Sequence, residues 1–276
     1  MAVIIITGAS SGIGFETAAT LAKQGHTVYA GARRMERMEP LHRFGVQTLL
    51  LDVTDSTSIH HFIETVMARE KRIDVLINNA GFGYFGPIEN VSMEDARKQL
   101  DVNIFGMAEL TKQVLPLMRM QGSGRIINTS SIVGRSILYF GGWYHVSKYA
   151  VEAFSDSLRI EVKPFGIDVV SIEPGGLRTE WGVIAAEHLE RSSKGTAYEK
   201  EAGNEASLLK KAYSIHLLSS PKVVSKAMSK AVNSPRPKTR YVIGRFSGTI
   251  LFLHRLLPTR WWDALMRQAG KHRIGK

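Results

Sequence analysis

The chain of 276 residues has no cysteine, which removes disulfides, a thiolate nucleophile and sulfur-held metals from consideration. No metal site is expected. A cysteine-free chain suits a reducing compartment, so the expected location is the cytoplasm, with membrane-peripheral attachment as a variant. Long apolar runs are also missing. The first, Val3–Thr7, has no basic flank and stops at Gly8, so it reads as a buried strand and not as a signal peptide or a span. Near the other end, His254, Arg255 and Pro258 interrupt the apolar residues too early for a membrane crossing.

Acidic residues are scarce in the last third. Residues 1–190 carry 18 Lys and Arg against 21 Asp and Glu, whereas residues 191–276 carry 18 against 4. The whole net charge of +11 therefore sits in the C-terminal segment. Such a surplus suits a solvated basic face, a nucleic acid, an anionic membrane or an anionic substrate. No nucleic-acid motif accompanies it, so no nucleic-acid partner is expected. Phe252, Leu256, Trp261 and Trp262 among arginines fit peripheral contact with an anionic membrane.

What the chain does have is a regular alternation. Short β-branched runs at Val3–Thr7, Thr27–Gly31, Gln47–Leu51, Val75–Asn78, Arg125–Ser130 and Asp168–Ile172 alternate with amphipathic stretches at 13–24, 35–44, 56–71, 92–121 and 145–163. Strands that are apolar throughout belong to a parallel sheet covered on both faces. The pattern predicts an α/β fold with a doubly wound parallel sheet, a ligand crevice lying beyond the carboxyl ends of the strands. Beyond Pro174 a polar stretch (187–211), a helix near Lys222–Asn233 and a strand near Arg240–Ile243 precede an apolar and basic tail. One domain with a C-terminal cap accounts for this.

Three constellations carry chemistry. The turn Thr7-Gly8-Ala9-Ser10-Ser11-Gly12-Ile13-Gly14 leaves a strand and opens a helix. Gly8 permits the sharp exit, Gly12 lets backbone approach a pyrophosphate, and Gly14 allows close helix packing. Ser10, Ser11, Gly12 and Ile13 then present the helix N-terminus to phosphates. At the end of the next strand, where an NAD site places a carboxylate, Arg33 and Arg34 stand instead. Guanidinium forks match a ribose 2′-phosphate, so NADP(H) is expected over NAD(H). The third is Tyr144-x-x-x-Lys148, an i,i+4 pair on one helical face. An ammonium about 4 Å from the phenol would favour phenolate by roughly 4 kcal/mol at an effective dielectric of about 20, bringing tyrosine toward useful acid/base chemistry. Ser131, thirteen positions upstream, could hold the reacting oxygen, with Ser130 as competitor. Asn103, inside a helical stretch, is either a water-holding amide beside Lys148 or a satisfied core amide.

With these residues together, the chain resembles the short-chain dehydrogenase/reductase family over roughly residues 2–182. The likeness rests on the TGASSGIG turn, Asp52-Val53, Asn78-Asn79-Ala80-Gly81, Asn103, Ser131, Tyr144/Lys148 and Pro174-Gly175-x-x-x-Thr179. It implies that Asn103, Ser131, Tyr144 and Lys148 form a catalytic tetrad. It also implies that Asp52 and Val53 meet adenine, that Asn79, Ala80 and Gly81 border the adenosine ribose and brace the sheet, and that Pro174, Gly175 and Thr179 fix the nicotinamide carboxamide. A looser likeness in Gly86-Pro87-Ile88-Glu89 and Ile172-Glu173-Pro174-Gly175 points to the hydroxysteroid and retinol dehydrogenase branch.

The expectation is one domain over 1–276, with a cofactor-binding and catalytic core over 1–182 and a substrate-covering segment and basic tail over 183–276. Its reaction moves hydride between nicotinamide and a carbonyl or alcohol carbon, and relatives commonly pair, so a homodimer or homotetramer is expected. Phe82, Tyr84, Phe85 and the run Ile137–Phe140 suit an apolar substrate. Departures at Trp143 and His145 would shape the substrate mouth, with His145 expected at the surface. The alternative, a cofactor-sensing or scaffold protein without turnover, has no need of Tyr144 and Lys148 together.

Overall fold

The computed structural model describes residues 1–178, 181–214 and 218–271. Seven parallel strands form one sheet: β1 (Val3–Thr7), β2 (Thr27–Ala32), β3 (Gln47–Leu50), β4 (Val75–Asn78), β5 (Gly124–Thr129), β6 (Ile167–Pro174) and β7 (Arg240–Ile243). Their spatial order is β3-β2-β1-β4-β5-β6-β7, so the winding reverses between β1 and β4. That reversal opens a crevice at the carboxyl ends of the two strands. In-register pairs such as Ile4 with Val28 and Ile4 with Val75 hold β1 between β2 and β4.

Strand alternation sends Ile4, Ile6, Val28, Ala30 and Ile77 to one face and Val3, Ile5, Tyr29, Leu76 and Ile126 to the other. The first face is covered by α1 (Gly12–Lys23) and α8 (Pro221–Asn233). The second is covered by α2 (Ser56–Glu70), α4 (Met107–Gln121) and α5 (Gly142–Val162). Both faces are buried along β1, β2 and β4, which is why these strands read as apolar runs. A buried polar chain runs across the layers: Asn78 donates to Thr111 and Asn128, and Asn128 donates to Ser155. Each link satisfies a group that desolvation would otherwise penalise.

Three stretches depart from the sequence expectation. The 92–121 stretch is not one α-helix. After α3 (Met93–Leu100), a π-helical turn over Asp101–Gly106 precedes α4, and Asn103 lies inside that turn. The 35–44 stretch forms two short 3₁₀ turns, Met35–Arg37 and Glu39–Phe44, with Pro40 at the start of the second and Gly45 left-handed at its end. The polar stretch at 187–211 is helical, forming α6 (Trp181–Ser193) and α7 (Glu199–Ser214). Their packed faces use Ala185, Ala186, Ala202 and Ala206, small residues that leave little apolar signal. Two further helices, α9 (Ser247–Leu256) and α10 (Thr259–Lys271), follow β7.

Candidate active site

The crevice begins at the turn after β1. Gly8 has φ +67, and a Cβ there would lie 2.7 Å from Ala80 Cα. A Cβ on Gly14 would lie 2.4 Å from the Gly8 carbonyl oxygen. Only glycine lets α1 start this close to β1 and β4. The same spot is tied by hydrogen bonds: Asn79 Nδ2 donates to the Thr7 carbonyl (3.0 Å), and Thr7 Oγ1 accepts from the backbone of Asn79 and Ala80 (3.0 and 2.9 Å). Just past β2, Arg34 Nη2 donates to Ser10 Oγ at 3.2 Å, bringing a guanidinium to the glycine-rich turn. Arg33, largely exposed, stands 3.9 Å from the Asp52 carboxylate. Asp52 also accepts from Thr54, and Val53 is buried beside it. Pro174 ends β6 and Gly175 follows, its N–H donating to the Ile243 carbonyl at 2.7 Å. Thr179 lies outside the described residues.

Helix α5 carries Tyr144 and Lys148 on one face, both buried. Lys148 Nζ lies 5.8 Å from the Tyr144 ring centre and donates to the Thr129 carbonyl at 2.9 Å. Burial pulls the Lys148 ammonium down to about 8, against a smaller upward pull from Glu152. Ser131 caps the 3₁₀ turn Ile132–Gly134, accepting from Val133 N, and its hydroxyl donates to the Pro174 carbonyl at 3.1 Å. Ser130 points elsewhere: its buried oxygen is 2.8 Å from where a Gly134 Cβ would stand, on the side of Glu152. The Asn103 amide donates to the Phe82 carbonyl (2.8 Å) and Ser147 Oγ (2.9 Å), and its oxygen accepts from Phe82 N (3.0 Å). Ser147 in turn donates to the Tyr144 carbonyl, so the π-turn is fastened to the helical turn bearing the tyrosine.

An apolar wall stands opposite. Phe85 meets the Tyr144 ring edge-on at 6.0 Å, and Trp181, the first residue of α6, stands 5.0 Å from it. Helix α6 is pinned there by His188, whose Nδ1 bonds the Phe85 carbonyl at 2.8 Å and whose ring stacks on Tyr84 at 4.0 Å. His145 is not at the surface. It is buried against Phe85, and burial alone holds its pKa down to about 4, leaving a neutral imidazole. The 100° step from Tyr144 turns it toward the 82–86 loop instead of toward water.

One group escaped the sequence reading. Glu152 continues the Tyr144–Lys148 stripe by another helical turn and is buried, with Arg240 of β7 bonded to it at 3.0 Å. Arg240 also reaches the buried Glu173 (3.1 Å) and Asp156, and Arg135 pairs with Glu173 from the other side. The i,i+8 spacing from Tyr144 was a visible signal, but its partner is 88 residues away.

The short chain dehydrogenase family profile matches residues 2–188, the segment that holds these groups apart from Arg240 and Ile243 of β7. The chain belongs to that family. Over 95% of its length it is 38% identical to a probable short-chain type dehydrogenase/reductase, VdlC, of Helicobacter pylori, covering 96% of that protein. A 3-ketodihydrosphingosine reductase of Bacteroides thetaiotaomicron is 43% identical over 64% of each chain. Retinol dehydrogenase 7 of Mus musculus is 36% identical over 95% of this chain and 87% of its own. Among solved structures, a short-chain dehydrogenase of Streptomyces avermitilis superposes with TM-score 0.79 and 30% identity, covering 97% of this chain and 99% of that one. An alcohol dehydrogenase of Thermococcus sibiricus in complex with 5-hydroxy-NADP gives 0.71 and 27%, over 88% and 96%. As a short-chain dehydrogenase the protein is an oxidoreductase of the CH–OH/C=O type using a nicotinamide cofactor.

Proposed function

We propose that this short-chain dehydrogenase is NADP(H)-dependent and reduces a carbonyl, or oxidises the matching secondary alcohol, on a long apolar molecule of steroid, retinoid or acyl type. The observation that carries this is the Tyr144–Lys148 pair, buried on one face of α5 and walled by Phe85 and Trp181. The names of two relatives, a retinol dehydrogenase and a 3-ketodihydrosphingosine reductase, support such a substrate and the hydroxysteroid and retinol branch.

The residues present fit the cofactor. Arg34, already at Ser10 Oγ, and the exposed Arg33 would hold the 2′-phosphate, and Ser11, Gly12 and Ile13 at the start of α1 would hold the pyrophosphate. Asp52 and Val53 would meet adenine, Asn79, Ala80 and Gly81 the ribose, and Pro174, Gly175 and Thr179 the carboxamide. Bound, NADPH supplies the hydride for the carbonyl carbon. Tyr144 Oη donates the proton to the carbonyl oxygen, and Ser131 Oγ holds that oxygen in place. Lys148 Nζ feeds the tyrosine electrostatically and by proton relay. A Cβ on Gly81 would stand 3.0 Å from Asn103 Oδ1 and 3.7 Å from Lys148 Nζ, and that amide oxygen keeps a lone pair for a relay water.

Phe105 in the π-turn and Val146, Tyr149 and Ile160 on α5 are exposed, which suits pairing into a homodimer or homotetramer through this side. The location is cytoplasmic, with peripheral membrane contact through the basic C-terminal segment. The test is NADPH oxidation against ketones and aldehydes graded from small polar to long apolar. Rates should climb with apolar size, and Tyr144→Phe should lose on the order of 10²–10⁴-fold while keeping NADPH binding. A near-normal Tyr144→Phe rate refutes the assignment of the proton donor.

A further inference from the structure

Helices α9 and α10 have sharply different inner and outer sides. Inward, Ile250 and Leu251 of α9 pack on the apolar cluster that contains Tyr144, Val133 and Phe140. Trp262 of α10 is buried, and its indole N–H donates to the Ile137 carbonyl at 3.0 Å, in the loop that follows Ser131. The His254 ring meets the Trp262 ring edge-on at 4.9 Å, joining the two helices. Outward, Phe252 and Leu256 stand one turn apart on α9, each 64% exposed. Trp261 and Leu265 stand one turn apart on α10, 68% and 44% exposed, and Phe246 at the head of α9 is 58% exposed.

Large apolar side chains grouped on exposed helices mark an interaction surface. The charge around them says which kind. From residue 245 to 271 the chain has Arg245, Arg255, Arg260, Arg267 and Lys271 against one acid, Asp263. Two copies of such a face would repel each other in a symmetric contact, whereas anionic headgroups complement it. Among the described residues no helix is long and apolar enough to cross a membrane. Short helices with Trp, Phe and Leu outward among arginines match a segment lying in the headgroup layer.

We propose that the outer sides of α9 and α10 seat on the surface of an anionic bilayer, placing the apolar cluster around Tyr144 one helix away from the acyl chains. Ile250 and Leu251 link the seated helix to that cluster, and Trp262 links it to the loop beside Ser131. Seating therefore acts on the elements that border the site, and an apolar substrate enters from lipid without crossing water. The delivery role rests on the apolar-substrate reading above; the binding itself does not.

The test uses the full chain with vesicles of phosphatidylcholine alone or mixed with phosphatidylglycerol, followed by co-sedimentation and tryptophan emission. Expected is partition into the anionic vesicles, weakened by salt, with a blue shift of emission. Trp261→Ser/Leu265→Ser should lower partition by about tenfold or more, and so should the independent pair Phe252→Ser/Leu256→Ser, with NADPH turnover of a small soluble ketone unchanged. No partition into anionic vesicles at low salt overturns the proposal. So does a variant that loses oligomer mass with unaltered partition, which would make this surface a contact between copies. Vesicle binding without turnover of any apolar ketone upholds the membrane seat and removes the substrate reading instead.

Discussion

Lys148 is held in a setting that opposes its own charge, and this makes its replacement informative. Its ordinary value of 10.5 falls to about 8 in the folded protein, chiefly through burial. Below pH 8 both folded and unfolded chains carry the proton, and the folded state bears the full penalty of about 3 kcal/mol at ~1.36 kcal/mol per pKa unit. Between pH 8 and 10.5 the unfolded chain keeps the proton and the native chain has released it, so native stability rises with pH. Lys148→Met keeps the stem and removes the charge. It also loses the bond to the Thr129 carbonyl, a constant cost of about 1–3 kcal/mol. The stability difference between wild type and variant should therefore shift in favour of wild type by about 2.5 kcal/mol from pH 7 to pH 10. Urea unfolding of the cofactor-free proteins at pH 7, 8, 9 and 10 measures it. A difference that stays constant within about 0.5 kcal/mol would refute the claim that desolvation governs this lysine.

Arg34→Ala should raise the KM for NADPH by about 10–100-fold, equivalent to about 1.5–3 kcal/mol for a charge-assisted bond, and leave that for NADH little changed; steady-state kinetics with both cofactors decides. Gly14→Ala forces a methyl into a space 2.4 Å from the Gly8 oxygen, so a thermal melt should show a loss of about 1–3 kcal/mol, accompanied by weaker NADPH binding. Arg240→Met leaves Glu152 and Glu173 buried without their shared cation, at a cost of about 3–5 kcal/mol. Glu173 already sits above the usual carboxylate range through burial and the nearby Glu152. Acidification should neutralise Glu173 and narrow the deficit, and denaturant titrations at pH 5 and 8 would show whether it does.

The inner strands were legible because sheet burial on both faces leaves them apolar almost throughout: Val3–Thr7 and Val75–Asn78 have the same bounds in sequence and structure. The π-turn at 101–106 was not legible, since one extra residue per turn leaves the apolar spacing of a helix almost intact. Helices α6 and α7 were hidden because their packing residues are mainly alanines. At the site, Tyr144 and Lys148 share a helix and so share a visible spacing, as do Ser10, Gly12 and Gly14 in one turn. Whether Ser130 or Ser131 faces the crevice depends on how the strand ends, and the burial of His145 depends on Phe85, 60 positions upstream. The Glu152–Arg240 clamp joins distant segments: the helical spacing marks Glu152, but nothing local announces its partner.

The pairing of α1 with α8 bears on how the chain is made. Ser225 donates to the Glu16 carbonyl, Thr17 meets the Met228 sulfur, and Asn233 reaches Gln24, each contact spanning more than 200 residues. Helix α1 therefore waits for α8 to be made before its apolar side is covered. At about 5–20 residues per second that wait is roughly 10–40 s, during which a finished cofactor turn exists beside an unfinished core. A gene truncated at residue 188, the end of the family match, would encode every proposed catalytic group yet lack α8, leaving α1 alone on the face of the sheet that the two helices share.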